Sequence, residues 1–206
     1  QRIVAPAGEF SLSTEAVVMT SAAAEVNLYA EFISVPDLPG AVMEFLLPSR
    51  YCESDLLNAK TLEIVAGSTL GYQQVEQICR WIRQEVAYVP GSSNNPISSI
   101  DIMRKGEGVC RDLAHVGIAL CRSICIPARM VVGYLHGLQP MDIHAWFEAY
   151  VGGEWYTFDP TQTSLQGGRV SIAHGRDAAD VAISNQYGPS AYPHHMFVDV
   201  QEIDEP

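Results

Sequence analysis

The sequence has few charged residues, and most of them are acidic. Only 17% of its 206 residues are charged, and 12 Lys and Arg stand against 24 Asp and Glu, so the formal net charge is −12. Nucleic acids and anionic membrane surfaces are bound by clustered Lys and Arg, so neither is expected as a partner. No run approaches the roughly 18 consecutive apolar residues that a membrane-spanning helix needs. An apolar fraction of 48% is enough for one core of ordinary size.

Cysteines are also few, and their spacing is irregular. An odd number without regular spacing does not indicate a disulfide framework, and the lack of a Cys-x-x-Cys pair gives no support for a structural zinc site. We therefore expect a reducing, cytoplasmic compartment, with four cysteines as small core residues and one with another role. The five are Cys52, Cys79, Cys110, Cys121 and Cys125.

The order of predicted elements is helices first and strands second, which indicates an α+β fold. Residues 1–47 are predicted to form a β-rich extension or a partial β domain, and residues 48–206 the main domain. In the first part, β-branched and aromatic residues predict strands over 10–20, 28–35 and 42–47. In the second part, apolar periodicity predicts helices over 55–66, 75–86 and 110–124, then strands over 128–135, 143–151, 154–158 and 196–203.

Cys110 stands where a helix begins, directly after the segment GEGV. The free N–H groups and the positive dipole end of a helix stabilise an anion at this place. A thiolate is such an anion, so Cys110 is a candidate nucleophile, and its N–H is a candidate oxyanion donor. The alternative is a small apolar residue of the core, which describes most cysteines.

A second candidate group lies on a predicted hairpin. The pair Gly152-Gly153 predicts a two-residue turn, and in that register Trp146 lies opposite Asp159 and His144 opposite Thr161. Paired positions share a face, so Asp159 is a diagonal neighbour of His144 and can orient its ring. A three-residue turn would place the two on opposite faces. A structural histidine and a turn-forming Asp before Pro160 are the alternatives.

Three segments in this order resemble the transglutaminase-like superfamily, and more narrowly its bacterial members described as cysteine protease candidates. They are GVCRDLAH (108–115), PARMVVGYL (127–135) and HAWFEAYVGGEWYTFDPT (144–161). The flanking LPSRYCESD (47–55) and GRDAADVA (175–182) are also similar to that group, except that Ala178 stands where an aromatic residue is more usual.

The resemblance implies a papain-like α+β core in which a helix bearing the nucleophilic cysteine packs on an antiparallel sheet. It implies that Cys110 is the nucleophile, His144 the general base and acid, and Asp159 the orienting carboxylate. It also implies that residues 1–47 belong to a small β domain that precedes a catalytic core over 48–206. No cofactor is expected, and the calcium sites of animal transglutaminases have no recognisable counterpart.

These observations favour a thiol-dependent acyl-transfer enzyme acting on a protein or peptide substrate. Cys110 would form a thioester, which water or an amine then resolves, giving a peptidase or amidase in one case and a transglutaminase in the other. We favour hydrolysis of peptide or isopeptide bonds. A peptide-binding domain without activity is the alternative from another class, and a small-molecule N-acyltransferase is the least supported.

Other residues near these motifs have weaker signals. Asp112 is expected to complement the helix dipole, Arg111 to pair with a carboxylate, and His115 to be buried and hydrogen-bonded. Trp146 shares a face with His144, so it is expected either to shield the pair or to pack in the core. The second oxyanion donor is not fixed by the sequence, and the upstream candidates are Trp81, Tyr88 and Asn94.

Overall fold

Helices come first along the chain and the main sheet second, as predicted. The structure is a computed structural model that describes residues 3–93, 95–165, 167–188 and 194–203. Its α-helices are α1 (Asn58–Ile64), α2 (Tyr72–Glu85), α3 (Ser99–Lys105) and α4 (Cys110–Ser123). Its strands are β1 (Ala87–Tyr88), β2 (Glu107–Gly108), β3 (Ala128–Leu135), β4 (His144–Val151), β5 (Glu154–Phe158) and β6 (Arg169–Gly175). Short 3₁₀ helices cover Val35–Asp37, Gly40–Leu46 and Ser54–Leu56.

Helix α4 runs through the centre of the core. Leu113, Val116, Ile118 and Leu120 are all buried, because the helix packs against α2 and α3 and also against β3 and β4. A helix that is apolar around most of its circumference is typical of such a central position. The predicted helix over 110–124 is confirmed.

Four antiparallel strands form the main sheet, in the order β5-β4-β3-β6. The β4–β5 hairpin pairs Val151 with Glu154 and continues to Phe147 opposite Phe158. Gly152 and Gly153 have φ angles of 60° and 91°, which a two-residue turn between twisted strands requires and other residues adopt reluctantly. The predicted hairpin and its register are confirmed.

The N-terminal residues differ from the expectation. Residues 3–47 contain no strand, and the segment predicted to be the third strand is the 3₁₀ helix Gly40–Leu46. Alternating apolar residues make a strand only where a neighbouring strand accepts its backbone hydrogen bonds. The apolar side chains of Phe10, Leu12 and Val17 are instead exposed. The division of the chain at residue 47 stays a prediction.

The later part of this segment lies on the core. The carbonyl of Ala30 accepts a hydrogen bond from Tyr72 N–H, and the carbonyl of Glu31 accepts one from Gly152 N–H. The ring of Phe45 packs edge-on against Trp155 at a centroid distance of 5.4 Å. Residues 30–45 are thus tied both to α2 and to the hairpin turn.

Helix α3 and the strands β1, β2 and β6 were not predicted, and one further predicted strand is wrong. The sequence pattern gave no indication of α3, and the strand β6 lies in the stretch beyond Pro160, which the sequence predicts to be rich in loops. Residues 196–203 form no strand. No strand of the described sheets pairs with that segment, and its Met196 and Phe197 side chains are exposed. In the described residues, no helix is long and apolar enough to cross a membrane.

The spacing between α4 and the sheet depends on Gly117. A Cβ atom at this position would overlap the ring of Phe147 on β4. We predict that Gly117→Ala lowers the free energy of unfolding by about 1–2 kcal/mol, because overpacking outweighs the gain in helix propensity. Urea denaturation measures this change. Gly40→Ala is the control, since a Cβ there meets no atom within 4 Å; equal effects of both substitutions would contradict the packing account.

Candidate active site

A short parallel ladder positions the start of α4. Strand β1 pairs with β2, and the Val89 N–H donates to the Gly108 carbonyl at 2.9 Å. A Cβ at Gly108 would lie 2.9 Å from the Cβ of Asp112, so only glycine allows this close approach. The chain then enters α4 with Cys110 as its first residue, partly exposed. The helix start predicted at Cys110 is therefore confirmed.

The first turn of α4 is held by two charged residues. Asp112 is fully buried, and its carboxylate accepts hydrogen bonds from Val109 N–H at 3.2 Å and from Arg111 Nε at 3.0 Å. The Arg111 guanidinium also donates to the carbonyl and the hydroxyl of Ser93. Both residues have the structural roles that the sequence predicted, and Arg111 ties the loop that contains Ser93 to the helix start.

His144 and Asp159 are in direct contact. His144 Nε2 lies 2.8 Å from Asp159 Oδ2, and both side chains are buried. The hairpin register brings them together, because His144 begins β4 and Asp159 directly follows β5. The predicted contact between the two is confirmed.

Asp159 has further partners on both of its oxygens. Oδ1 accepts hydrogen bonds from the N–H and the hydroxyl of Thr161 at 3.0 and 2.7 Å. Oδ2, which already contacts His144, also accepts one from Arg169 Nη2 at 2.8 Å. Sequence reasoning missed Arg169, because it lies on the unpredicted strand β6. Had β6 been recognised, its register with β3 would have placed Arg169 on the same sheet face as His144.

The electrostatics of the pair favour an ionised carboxylate beside a protonated ring. Burial alone would raise the pKa of Asp159, but the His144 contact, the Thr161 hydrogen bond and the Arg169 charge together hold it below its usual value. Burial alone would lower the pKa of His144, but Asp159 and the neighbouring Cys110 raise it to about 9. His144 Nδ1 is buried and makes no hydrogen bond of full geometry within the described residues, so it is the nitrogen available to the thiol.

Three other cysteines are in a different environment. Burial raises the pKa of Cys52 to about 12, and it also raises the pKa of Cys79 and of Cys121. These buried thiols stay protonated at neutral pH and are poor nucleophiles. Cys125 is exposed and follows the C-terminal end of α4, far along the helix from Cys110.

His115 has the structural role predicted for it. Its Nε2 accepts a hydrogen bond from Ala178 N–H at 3.1 Å, and its ring stacks on Tyr51. Burial lowers the pKa of His115 to about 3, so the ring is neutral. Ala178, the departure from the usual aromatic, lies against this ring.

Trp146 covers the pair. It is 1% exposed, its ring centroid lies 6.1 Å from that of His144, and the Arg169 guanidinium lies 5.6 Å from the indole centroid. The sequence left shielding of the pair and packing in the core as alternatives for Trp146. The buried side chain does both.

Of the upstream residues considered as oxyanion donors, Tyr88 is close enough to Cys110 to be affected by its charge. It is half-exposed and pairs with Gly108 in the ladder. Burial raises the pKa of its hydroxyl, and the charges of Cys110 and Asp142 add to this effect. Trp81 instead lines a separate groove beside α1 and α3, and Asn94 lies outside the described residues.

Metal ligation has no support in the part of the chain that the structure describes. No group of three or more His, Cys, Asp and Glu side chains there is arranged to hold an ion. Zinc binding by Cys110, His144 and Asp159 is further disfavoured, because the Asp159 oxygens already accept hydrogen bonds from Thr161 and Arg169 and contact His144.

A helix that begins at a cysteine and packs on an antiparallel sheet bearing a His–Asp pair defines a papain-like α+β core. Residues 58–160 match the family model of the transglutaminase-like superfamily, and the chain belongs to that superfamily.

Three proteins illustrate what this chain is similar to. An uncharacterised protein of Mycobacterium leprae is 32% identical over 148 residues, which cover 68% of this chain and 53% of that protein. One from Mycobacterium tuberculosis is 26% identical over 173 residues, covering 75% and 50%. The solved structure of a cysteine protease candidate from Cytophaga hutchinsonii is 46% identical with a TM-score of 0.70, covering 75% and 53%. The chain thus spans about half the length of these relatives.

The pKa of His144 tests the electrostatic account of the pair. We predict that Asp159→Asn lowers the pKa of His144 from about 9 toward its usual 6.5, because the hydrogen bond and the negative charge that stabilise the imidazolium are lost. Titration of the ring ¹⁵N resonances by NMR measures the shift. Asp101→Asn on the exposed face of α3 is the control, and an unshifted titration in Asp159→Asn would refute the account.

Proposed function

We propose that this chain is a thiol-dependent acyl-transfer enzyme that hydrolyses peptide or isopeptide bonds through Cys110, His144 and Asp159. The observation that supports it is the partly exposed cysteine at a helix start, which acts on the buried His144 of the His–Asp pair and helps to raise its pKa. Family membership and the similarity to a cysteine protease candidate point in the same direction. A peptide-binding domain without activity would not need this carboxylate-oriented histidine.

The first half of the reaction forms a thioester. The Cys110 thiolate attacks the carbonyl carbon, and the resulting oxyanion is stabilised by the free N–H groups at the start of α4. The imidazolium of His144 then donates its Nδ1 proton to the departing amine as the C–N bond breaks. Asp159 holds Nε2 throughout, so that Nδ1 faces the sulfur.

The second half releases the acid. His144 Nδ1 takes a proton from water, and the hydroxide attacks the thioester carbonyl. Collapse of the second tetrahedral intermediate breaks the C–S bond and returns the Cys110 thiolate and the His144 imidazolium. An amine that entered in place of water would give transamidation by the same steps.

An activated ester tests this sequence without knowledge of the natural substrate. With p-nitrophenyl acetate we predict a burst of p-nitrophenolate and an acetyl group on Cys110, detected by peptide mass spectrometry. Cys110→Ala abolishes both, and His144→Gln slows acylation by about 10²–10⁴-fold. Cys125→Ala and His174→Gln are controls, because both residues are exposed and outside the site. A burst of normal size in Cys110→Ala would exclude the mechanism, and added amines in the deacylation step distinguish transamidation from hydrolysis.

We further propose that the Tyr88 hydroxyl is the second oxyanion donor. The β1–β2 ladder places this residue beside the start of α4, close enough for the Cys110 charge to raise its pKa. Tyr88→Phe is predicted to lower the rate constant of acylation by about 100-fold with little change in substrate binding. Stopped-flow kinetics measure it, with exposed Tyr29→Phe as the control; an unchanged rate would remove Tyr88 from the oxyanion hole.

A further inference from the structure

Arg169 reaches the candidate site from the opposite edge of the sheet. It lies on β6, which pairs with β3, whereas Asp159 follows β5 at the other edge. Two strands, β3 and β4, lie between them, so the side chain must cross the face of the sheet. The ion pair that results is buried, with the two side chains 9% and 0% exposed.

The path across the sheet is built into the strands. Gly133 on β3 pairs with His144 on one side and with Ser171 on the other. Arg169 and Ser171 are two residues apart and therefore share a face with His144. Gly133 presents no side chain on this path, and a Cβ there would come within 2.9 Å of the Trp146 indole. The Arg169 guanidinium lies over the Trp146 ring on this face, 5.6 Å from the ring centroid.

At the end of this path, two positively charged groups contact the same oxygen of Asp159. Asp159 Oδ2 is 2.8 Å from His144 Nε2 and also 2.8 Å from Arg169 Nη2. Thr161 saturates the other oxygen, so the carboxylate cannot turn to serve the two cations separately. A second positive charge on a carboxylate weakens its attraction for the first. Arg169 and the protonated ring of His144 therefore compete for the same negative charge.

We propose that Arg169 is a positioning residue that keeps Asp159 ionised and fixed while limiting how strongly it holds the proton of His144. This inference rests on the proposed function, because it concerns the acid that protonates the leaving amine. An imidazolium stabilised by an undivided carboxylate charge would be a weaker acid and would give up its proton more slowly. Arg169 is then the reason that the buried pair can both form the imidazolium and release its proton.

Other ionisable groups surround the pair on several elements. Cys110 on α4 interacts electrostatically with His144, and Tyr88 on β1 and Cys79 on α2 interact with Asp159. Arg83 on α2 and Asp142 before β4 act in turn on Cys79 and Tyr88. Arg83 donates to the Gln162 carbonyl, whereas Arg169 donates to the Asp159 carboxylate itself. A substitution of Arg169 therefore tests the direct contact.

The test is the titration of the His144 ring by ¹⁵N NMR in Arg169→Gln, Arg169→Lys and the wild type. We expect Arg169→Gln to raise the pKa of His144 by about one unit, since one competing charge is removed. Arg169→Lys keeps the charge and should titrate close to the wild type. Arg80→Gln on the exposed side of α2 removes a charge elsewhere and serves as the control. If Arg169→Gln does not fold, Arg169→Met replaces it, because its length and apolar stem keep the packing on Trp146.

A structural role gives a different result. If Arg169 only ties β6 to the hairpin, Arg169→Gln lowers the melting temperature but leaves the His144 titration where it is in the wild type. That result, or a titration shifted to lower pH, would overturn the inference. The p-nitrophenyl acetate burst separates this failure from failure of the proposed function. A burst that requires Cys110 and His144, together with an unshifted titration, contradicts only the role of Arg169.

Discussion

The site depends on one buried carboxylate, that of Asp159, both of whose oxygens accept hydrogen bonds. Asp159 is 3% exposed, and an isolated charge at such a place would take up a proton or destabilise the fold. Its oxygens instead accept hydrogen bonds from Thr161, Arg169 and His144, which keep it ionised. Each donor comes from a different part of the sheet: the loop after β5, the edge strand β6 and the start of β4. The charge state of His144 therefore depends on the arrangement of the strands. The Gly152-Gly153 turn sets the register that brings His144 to Asp159.

The thiol side of the site depends on a second set of constraints. The β1–β2 ladder, the close approach at Gly108 and the Asp112 cap fix the direction in which α4 begins. Gly117 then sets how near the helix lies to β4, and hence how near Cys110 lies to the ring of His144. None of these groups reacts, yet each has a geometric role that a larger or uncharged side chain could not fill.

Sequence patterns predicted the parts of the site that depend on local structure. The register of a two-residue hairpin follows from counting, so the contact between His144 and Asp159 was predictable without any family. The helix start at Cys110 was predictable from the preceding glycines and the apolar stripe that follows. Arg169 was not, because the stretch beyond Pro160 was predicted to be rich in loops and the partner of Arg169 lies across two strands. The strands predicted over residues 10–47 were wrong, since alternation does not show whether a partner strand exists. The catalytic roles of these residues stay predictions.

Site-resolved alkylation tests the central claim most directly. Iodoacetamide is applied across pH 4–9, and peptide mass spectrometry reports the rate for each of the five cysteines, in the wild type and in His144→Gln. We expect Cys110 to react faster than the other four cysteines, and His144→Gln to remove this advantage. A Cys110 that reacts as slowly as Cys121, or that reacts equally fast without His144, would contradict the existence of a thiolate–imidazolium pair.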